Sequence, residues 1–463
     1  MIEVMAQRNV PIKTLLILGG SGDLSGRLLL PGIGGLLTAH PDKHLRLIGS
    51  GADEWDDAKW RQRVTDSFAS VGAHGPRVDS VIGETHYRQA NVTDAGDWPE
   101  LLKMCEAPVA IFFALPPPVT AKACEALTQV PLPAHTRLVL EKPFGTNEET
   151  AAELNDLLTR LVPEDHIHRV DHFLGKSTVL NLLGLRFANR MLEPVLTAEH
   201  VEKVDVIFDE NLALEGRAGY YDGAGALVDM VQSHLLQVLS ILAMEPPSAL
   251  SAADLRDHKA GVLRATHLWK NDPVHFSRRA RYTAGRLGDR DVPNYVDEKG
   301  INPANMTETL AEVVLAVDTW RWHGVPFRIR TGKAIGAPRK EAIITFKQAP
   351  RLPHGFAGGE QPNRIVIGFG PDTMSIALNV NGPGDPLHID QTTLSSEFGP
   401  GEMPAYGEVL LGVLDADPTL SVRGDTAEDC WRIVQPVLDA WRADRVPLQE
   451  YPAGSAGPAG WPL

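Results

Sequence analysis

Thr14-Leu15-Leu16-Ile17-Leu18-Gly19-Gly20-Ser21-Gly22-Asp23-Leu24-Ser25 is the stretch on which the fold turns. Its first five residues are nearly all aliphatic and read as a short buried strand. The glycines after them read as a tight turn. The apolar segment that follows, with Leu28, Leu29, Leu30 and Ile33, reads as a helix. Strand, Gly-rich turn and helix in that order let backbone N–H groups approach a pyrophosphate at a helix N-terminus. The competing reading is an ordinary tight turn.

The neighbouring sequence continues the pattern. Residues 45–49 read as a second strand and 55–71 as a helix with charges on one side. Residues 109–114 form another apolar run, ending at Pro116-Pro117-Pro118, and 137–141 a further one, ending at Lys142-Pro143. Strand alternating with helix predicts a parallel sheet with ligands at the strand C-termini. The pattern changes after Lys176. An amphipathic segment at 177–190 precedes a strand at 201–208 and an apolar helix at 226–243. Strand-like runs then recur at 276–282, 310–322, 327–330 and 364–369. Strands grouped with flanking helices predict an α+β domain on a large, mostly antiparallel sheet. At 463 residues, two domains are expected. The division falls at 1–175, an α/β Rossmann-like dinucleotide-binding domain, and 176–463, the α+β domain. The Gly- and Pro-rich end, 452–462, reads as a poorly ordered tail.

Composition excludes several classes. Net charge is −15, so nucleic acid, which needs a basic face, is not an expected partner. No single apolar run approaches the roughly 20 residues of a membrane helix, and residues 1–13 lack the apolar core of a signal peptide. Cys105, Cys124 and Cys430 are few and widely spaced, which suits reduced thiols in a cytoplasm. No zinc-ligand spacing is present, and no metal is expected.

Arg169-Val170-Asp171-His172-Phe173-Leu174-Gly175-Lys176 concentrates charge where packing alone would not. Lys176 and His172 suit a phosphate, and Asp171 suits orienting and charge-stabilising a histidine brought from elsewhere. A solvated charged loop is the competing reading. The set of motifs resembles the glucose-6-phosphate 1-dehydrogenase family along nearly the whole chain. It comprises Gly19 to Leu24, Glu141-Lys142-Pro143-Phe144-Gly145, Arg169 to Lys176, and Gly216-Arg217-Ala218-Gly219-Tyr220-Tyr221-Asp222. Asp229 with Gln232-Ser233-His234-Leu235-Leu236-Gln237, Asp318-Thr319-Trp320-Arg321-Trp322, Arg330-Thr331-Gly332-Lys333, Gln361-Pro362-Asn363 and Tyr451-Pro452-Ala453-Gly454 follow in the family's order.

The resemblance implies oxidation of glucose 6-phosphate at C1 to a lactone, with hydride passing to NAD(P). This is the first step of the oxidative pentose phosphate pathway. It implies His234 as the base and Asp171 as its orienting carboxylate. His172 and Lys176 are implied as phosphate ligands, and Lys142, Glu210 and Asp229 as contacts to sugar hydroxyls. Lys333 and Arg339 resemble a second basic arm. The implied coenzyme contacts are Gly19, Gly20, Ser21, Gly22, Asp23, Leu24, Ser50, Pro116 and Lys142. A homodimer or homotetramer is implied, with the large sheet as its interface.

Spacing does not support everything. Asp229 and His234 are five apart, which on an α-helix at roughly 100° per residue leaves them about 140° apart. Phe173 stands where the family usually has Tyr, which removes one phosphate donor. Ala52 stands where the family usually has Arg, with Asp53 and Glu54 after it. Carboxylates there favour a ribose 2′-hydroxyl over a 2′-phosphate. They point to NAD, or to use of both coenzymes, against the family's usual NADP, although Arg27 or Arg61 could still supply charge. Two further readings remain open at this stage: a paralogue oxidising another sugar or sugar phosphate, and a non-catalytic dinucleotide-binding regulator.

Overall fold

The computed structural model describes residues 10–382, 384–399 and 403–461. The chain clusters into two compact units. The first takes residues 1–177 and adds two later stretches, 247–260 and 401–429. A contiguous division at 175 and 176 assigns both stretches to the other side.

The first unit is built on a six-stranded parallel sheet. Its strands are β1 (Thr14–Leu18), β2 (Arg46–Gly51), β3 (His86–Gln89), β4 (Val109–Phe113), β5 (Arg137–Glu141) and β6 (Ile167–Val170). They lie in the order β3-β2-β1-β4-β5-β6, which reverses direction at β1 and β4, where open α/β sheets bind ligands. β1 and β4 are fully buried along their length, as nearly continuous apolar runs in a sheet covered on both faces should be. Helices Leu30–Ala39 and Asp57–Ala69 close one face through Leu36, Trp60, Val64 and Phe68. The later stretch contributes helix Ala405–Leu414, whose Tyr406, Val409, Leu410 and Val413 join the same core.

The second unit carries an eleven-stranded sheet. At its centre, β7 (Val201–Asp209) pairs parallel with Pro326–Gly332 and antiparallel with Lys340–Phe346. Most of the remaining pairs are antiparallel. At one edge, Leu448–Pro452 pairs parallel with Ser277–Thr283.

Two expectations are corrected here. The end of the chain is not a loose tail over its described part. Tyr451, Ala453 and Trp461 are core residues. Gly454 N donates to the Ala334 carbonyl, Gly336 N to Ser455, and the Arg330 guanidinium to Ala456. Glycine and proline there serve close packing and turns rather than disorder. Residues 462 and 463 lie outside the described part. The second correction concerns residues 218–243, which by length and composition alone match a membrane span, against the expectation that no run does. Nearly all of its apolar window is buried inside the second unit, as a core helix would be.

Candidate active site

The residues singled out from sequence fall in both units, and each half is built by its own unit. In the first, β1 leads into the turn at Gly19. Gly19 has φ 79°, and a side chain there would sit 2.3 Å from the Ala114 carbonyl oxygen, so only glycine lets β1 and β4 release the chain this closely. The amides of Gly19 and Gly20 donate to the Ser50 carbonyl, which makes Ser50 a brace for the turn; its hydroxyl is buried with no hydrogen-bond partner among the described residues. Gly22 lies in the turn, and Asp23 and Leu24 open the helical segment that continues as a π-helix at Ser25–Leu29. Arg63 donates to the carbonyls of Ser21 and Gly22. Pro116 is exposed beyond the end of β4, capping helix Pro117–Leu127.

Past β2, the Ser21 hydroxyl donates to the Asp53 carboxylate at 2.5 Å. Asp53 and Glu54 are both exposed. The two cations that sequence held in reserve have other engagements. Arg27 pairs with Asp23 at 3.4 Å, and Arg61 donates to the Ile82 carbonyl at 3.1 Å.

At the far end of the same sheet, Glu141 lies opposite Val170, so Lys142 and Asp171 leave adjacent strand ends. Asp171 is buried, and its Oδ1 accepts from the Phe173 amide at 3.0 Å, starting the 3-10 turn His172–Gly175. His172 stacks on Tyr406, ring centroids 5.4 Å apart. Lys176 places Nζ 4.2 Å from the Phe173 ring centroid. Arg169, the first residue of the motif, points elsewhere: it is buried and bound to Glu164. Burial pushes the Glu141 carboxyl up to about 8, against the pull of Tyr406 and Lys142. Tyr406 carried no signal in the sequence, and Glu141 entered only as the first residue of its motif.

In the second unit, three strand ends converge. Glu210 follows β7, Lys333 follows Pro326–Gly332, and Arg339 precedes Lys340–Phe346. Glu210 N donates to the Gly332 carbonyl and Asp209 N to the Arg339 carbonyl, which holds the three in register. Lys333 Nζ donates to Glu210 Oε2 at 2.7 Å and lies 5.1 Å from the Tyr221 ring centroid. Arg339 Nη2 is buried without a hydrogen-bond partner among the described residues, an unmet donor on a cation.

The apolar helix is three pieces. An α-helix, Ala218–Ala226, is broken at Gly225; a π-helix runs over Leu227–Leu235; an α-helix resumes at Leu236–Ala243. Asp229 and His234 both lie on the π-helix, and both are buried. This corrects the α-helical spacing argument. With i→i+5 bonding each residue turns by roughly 80°, so five positions make slightly more than one turn and leave the pair within about 50°. One face can carry both.

Two family models match the chain. One, described as the NAD binding domain of glucose-6-phosphate dehydrogenase, matches residues 16–181; the other, described as its C-terminal domain, matches 183–461. Among curated proteins, the chain is 37% identical to glucose-6-phosphate 1-dehydrogenase of Gluconobacter oxydans, over 96% of this chain and 94% of that one. It is 35% identical to the enzyme of that name from Zymomonas mobilis, over 97% and 96%. Among solved structures, a glucose-6-phosphate dehydrogenase in complex with its substrate glucose-6-phosphate superposes with a TM-score of 0.87 at 27% identity, covering 98% of this chain and 97% of that one. The enzyme from Mycobacterium avium gives 0.84 at 32%, covering 97% and 95%.

Proposed function

The chain belongs to the glucose-6-phosphate dehydrogenase family, and from that premise we propose that it oxidises glucose 6-phosphate at C1 to 6-phosphoglucono-1,5-lactone. The observation that carries this reading is the π-helix that turns Asp229 and His234 to one face, beside a sheet end bearing Glu210, Lys333 and Arg339. A regulator without catalysis has no use for that register.

The roles are those that the family resemblance implies. His234 takes the proton of the C1 hydroxyl; a histidine titrates near the working pH, as a general base should. Asp171 orients it and stabilises the imidazolium. His172 and Lys176 hold the 6-phosphate. Lys142, Glu210 and Asp229 meet sugar hydroxyls, with Lys333 and Arg339 as further cations. The nicotinamide coenzyme accepts the hydride from C1. The turn of Gly19, Gly20, Ser21, Gly22, Asp23 and Leu24 binds its pyrophosphate, with Ser50, Pro116 and Lys142 completing the coenzyme contacts.

For the coenzyme we favour NAD. Asp53 lies against the turn through Ser21, and a carboxylate there accepts from a ribose diol and repels a 2′-phosphate. Arg27 and Arg61 have partners elsewhere. None of the three cysteines is in a disulfide, which fits a reducing cytoplasm. A panel of aldoses and aldose phosphates, each assayed with NAD and NADP, tests the proposal. Glucose 6-phosphate should give the highest kcat/KM. A better substrate among the others would replace this reading with that of a paralogue, and no turnover with any would favour the regulator.

A further inference from the structure

We propose that Glu308 is a positioning residue for this reaction: it fixes the start of the helix that carries Asp229 and His234 and ties it to Lys333. The inference rests on His234 being the base. Three consecutive residues, Thr307-Glu308-Thr309, form a strap across the second unit. The Thr307 hydroxyl donates to the Asp222 carbonyl at 2.7 Å. Glu308 takes two amides in succession, Ala226 N on its carbonyl at 3.2 Å and Leu227 N on its Oε1 at 2.9 Å. The Thr309 carbonyl accepts the Lys333 amide at 2.8 Å, and the Thr309 hydroxyl meets the Tyr451 hydroxyl, which itself donates to the Lys333 carbonyl.

The contact with Leu227 sits where the register changes. Leu227 is the first residue of the π-helix. Just before it, Gly225 has φ 67° and ψ 177°, and a side chain there would meet the Glu308 carboxylate at 2.4–2.7 Å. The carboxylate therefore occupies the space that glycine leaves and accepts one of the amides that any helix start leaves unpaired. A negative charge at that end is favourable, and a charge-assisted bond is about twice as strong as a neutral one. Loosening it would loosen the register that brings Asp229 and His234 to one face.

The cap is also sensitive to pH. Glu308 is buried, and burial pushes its carboxyl up to about 7, opposed by the amides it accepts and by Arg279. The titratable groups facing it are Tyr221 on the preceding helix, Tyr295 and Arg279. Both tyrosines are held above their ordinary value, chiefly by burial, so the Glu308 proton is the one that changes around neutrality.

The test compares kcat against pH for wild type, Glu308→Gln and Glu308→Leu. Leucine removes the acceptor and should lower kcat by at least about tenfold, the scale of one buried unpaired amide. Glutamine keeps an acceptor that cannot ionise. As the neutral stand-in for the protonated carboxyl, it should set kcat above pH 8 about three- to tenfold below wild type, the level wild type falls to once Glu308 is protonated. The acid limb should fall with a slope of one, from the base alone, where wild type falls more steeply. Should the leucine variant not fold, the glutamine profile decides. An acid limb of the same slope and position in wild type and Glu308→Gln overturns the proposal. So does a leucine variant within threefold of wild type. His234→Asn, assayed beside them, separates the two ideas: if it is inactive while the Glu308 variants are unchanged, only the strap fails, and if it is active, the base assignment fails.

Discussion

At the scale of single residues, Lys176 is the clearest case of a side chain whose function packing does not require. Its ammonium lies over the Phe173 ring, a contact of about 0.5–1 kcal/mol, and the family resemblance implies that it holds the 6-phosphate. Lys176→Ala should therefore lower kcat/KM for glucose 6-phosphate far more than for unphosphorylated glucose. Equal losses with the two sugars would remove it from the phosphate site. The coenzyme half makes a second residue-scale prediction. Wild type should use NAD at least as well as NADP, and Ala52→Arg with Asp53→Ser should move the ratio of kcat/KM toward NADP. A wild-type preference for NADP well above about tenfold, roughly 1.4 kcal/mol, contradicts it. The residue types of both halves were legible because charge and glycine in apolar surroundings are conspicuous. Glu308 was not, since one buried acid in a chain with 59 acidic residues has no local mark.

At the scale of elements, the four strands that apolar runs mark in the first unit fall within a few residues of their expected places, as with Arg137–Glu141 against 137–141, while His86–Gln89 and Ile167–Val170 were not read as strands. The helix of Asp229 and His234 is the exception. Its period is set by a break at Gly225 and by a cap 81 residues downstream, which no local window contains. Strand β6 offers an independent test of burial. His168 on β6 is fully buried, with Nδ1 3.1 Å from the Ser421 hydroxyl. Burial pushes it down to about 3, helped by Arg137, Arg256 and His166. The unfolded chain takes up this proton near pH 6.5, while the folded chain does not until about pH 3. Stability should therefore fall as pH drops below 6.5, at up to about 1.4 kcal/mol per pH unit from this group. Denaturant unfolding at several pH values should show a shallower acid slope in His168→Gln than in wild type; parallel slopes would mean that His168 is not buried neutral.

At the scale of the whole molecule, the sequence order of the domains was readable, but the return of 247–260 and 401–429 to the first unit was not. Packing partners hundreds of residues apart leave no periodicity. The large sheet also leaves a surface to explain. On the paired strands Thr373–Asn381 and His388–Glu397, Leu378, Val380 and Leu394 share one face and are exposed. The family resemblance implies that this sheet mates with a second copy. Leu378→Glu with Leu394→Glu should shift sedimentation from dimer or tetramer to monomer, and an unchanged mass would place the interface elsewhere. The central claim is that the chain oxidises glucose 6-phosphate with His234 as the base. Steady-state turnover of His234→Asn, with glucose 6-phosphate binding titrated in parallel, tests it most directly. The account predicts a loss in kcat of about 10²–10⁴-fold with binding retained; turnover within a few-fold of wild type would contradict it.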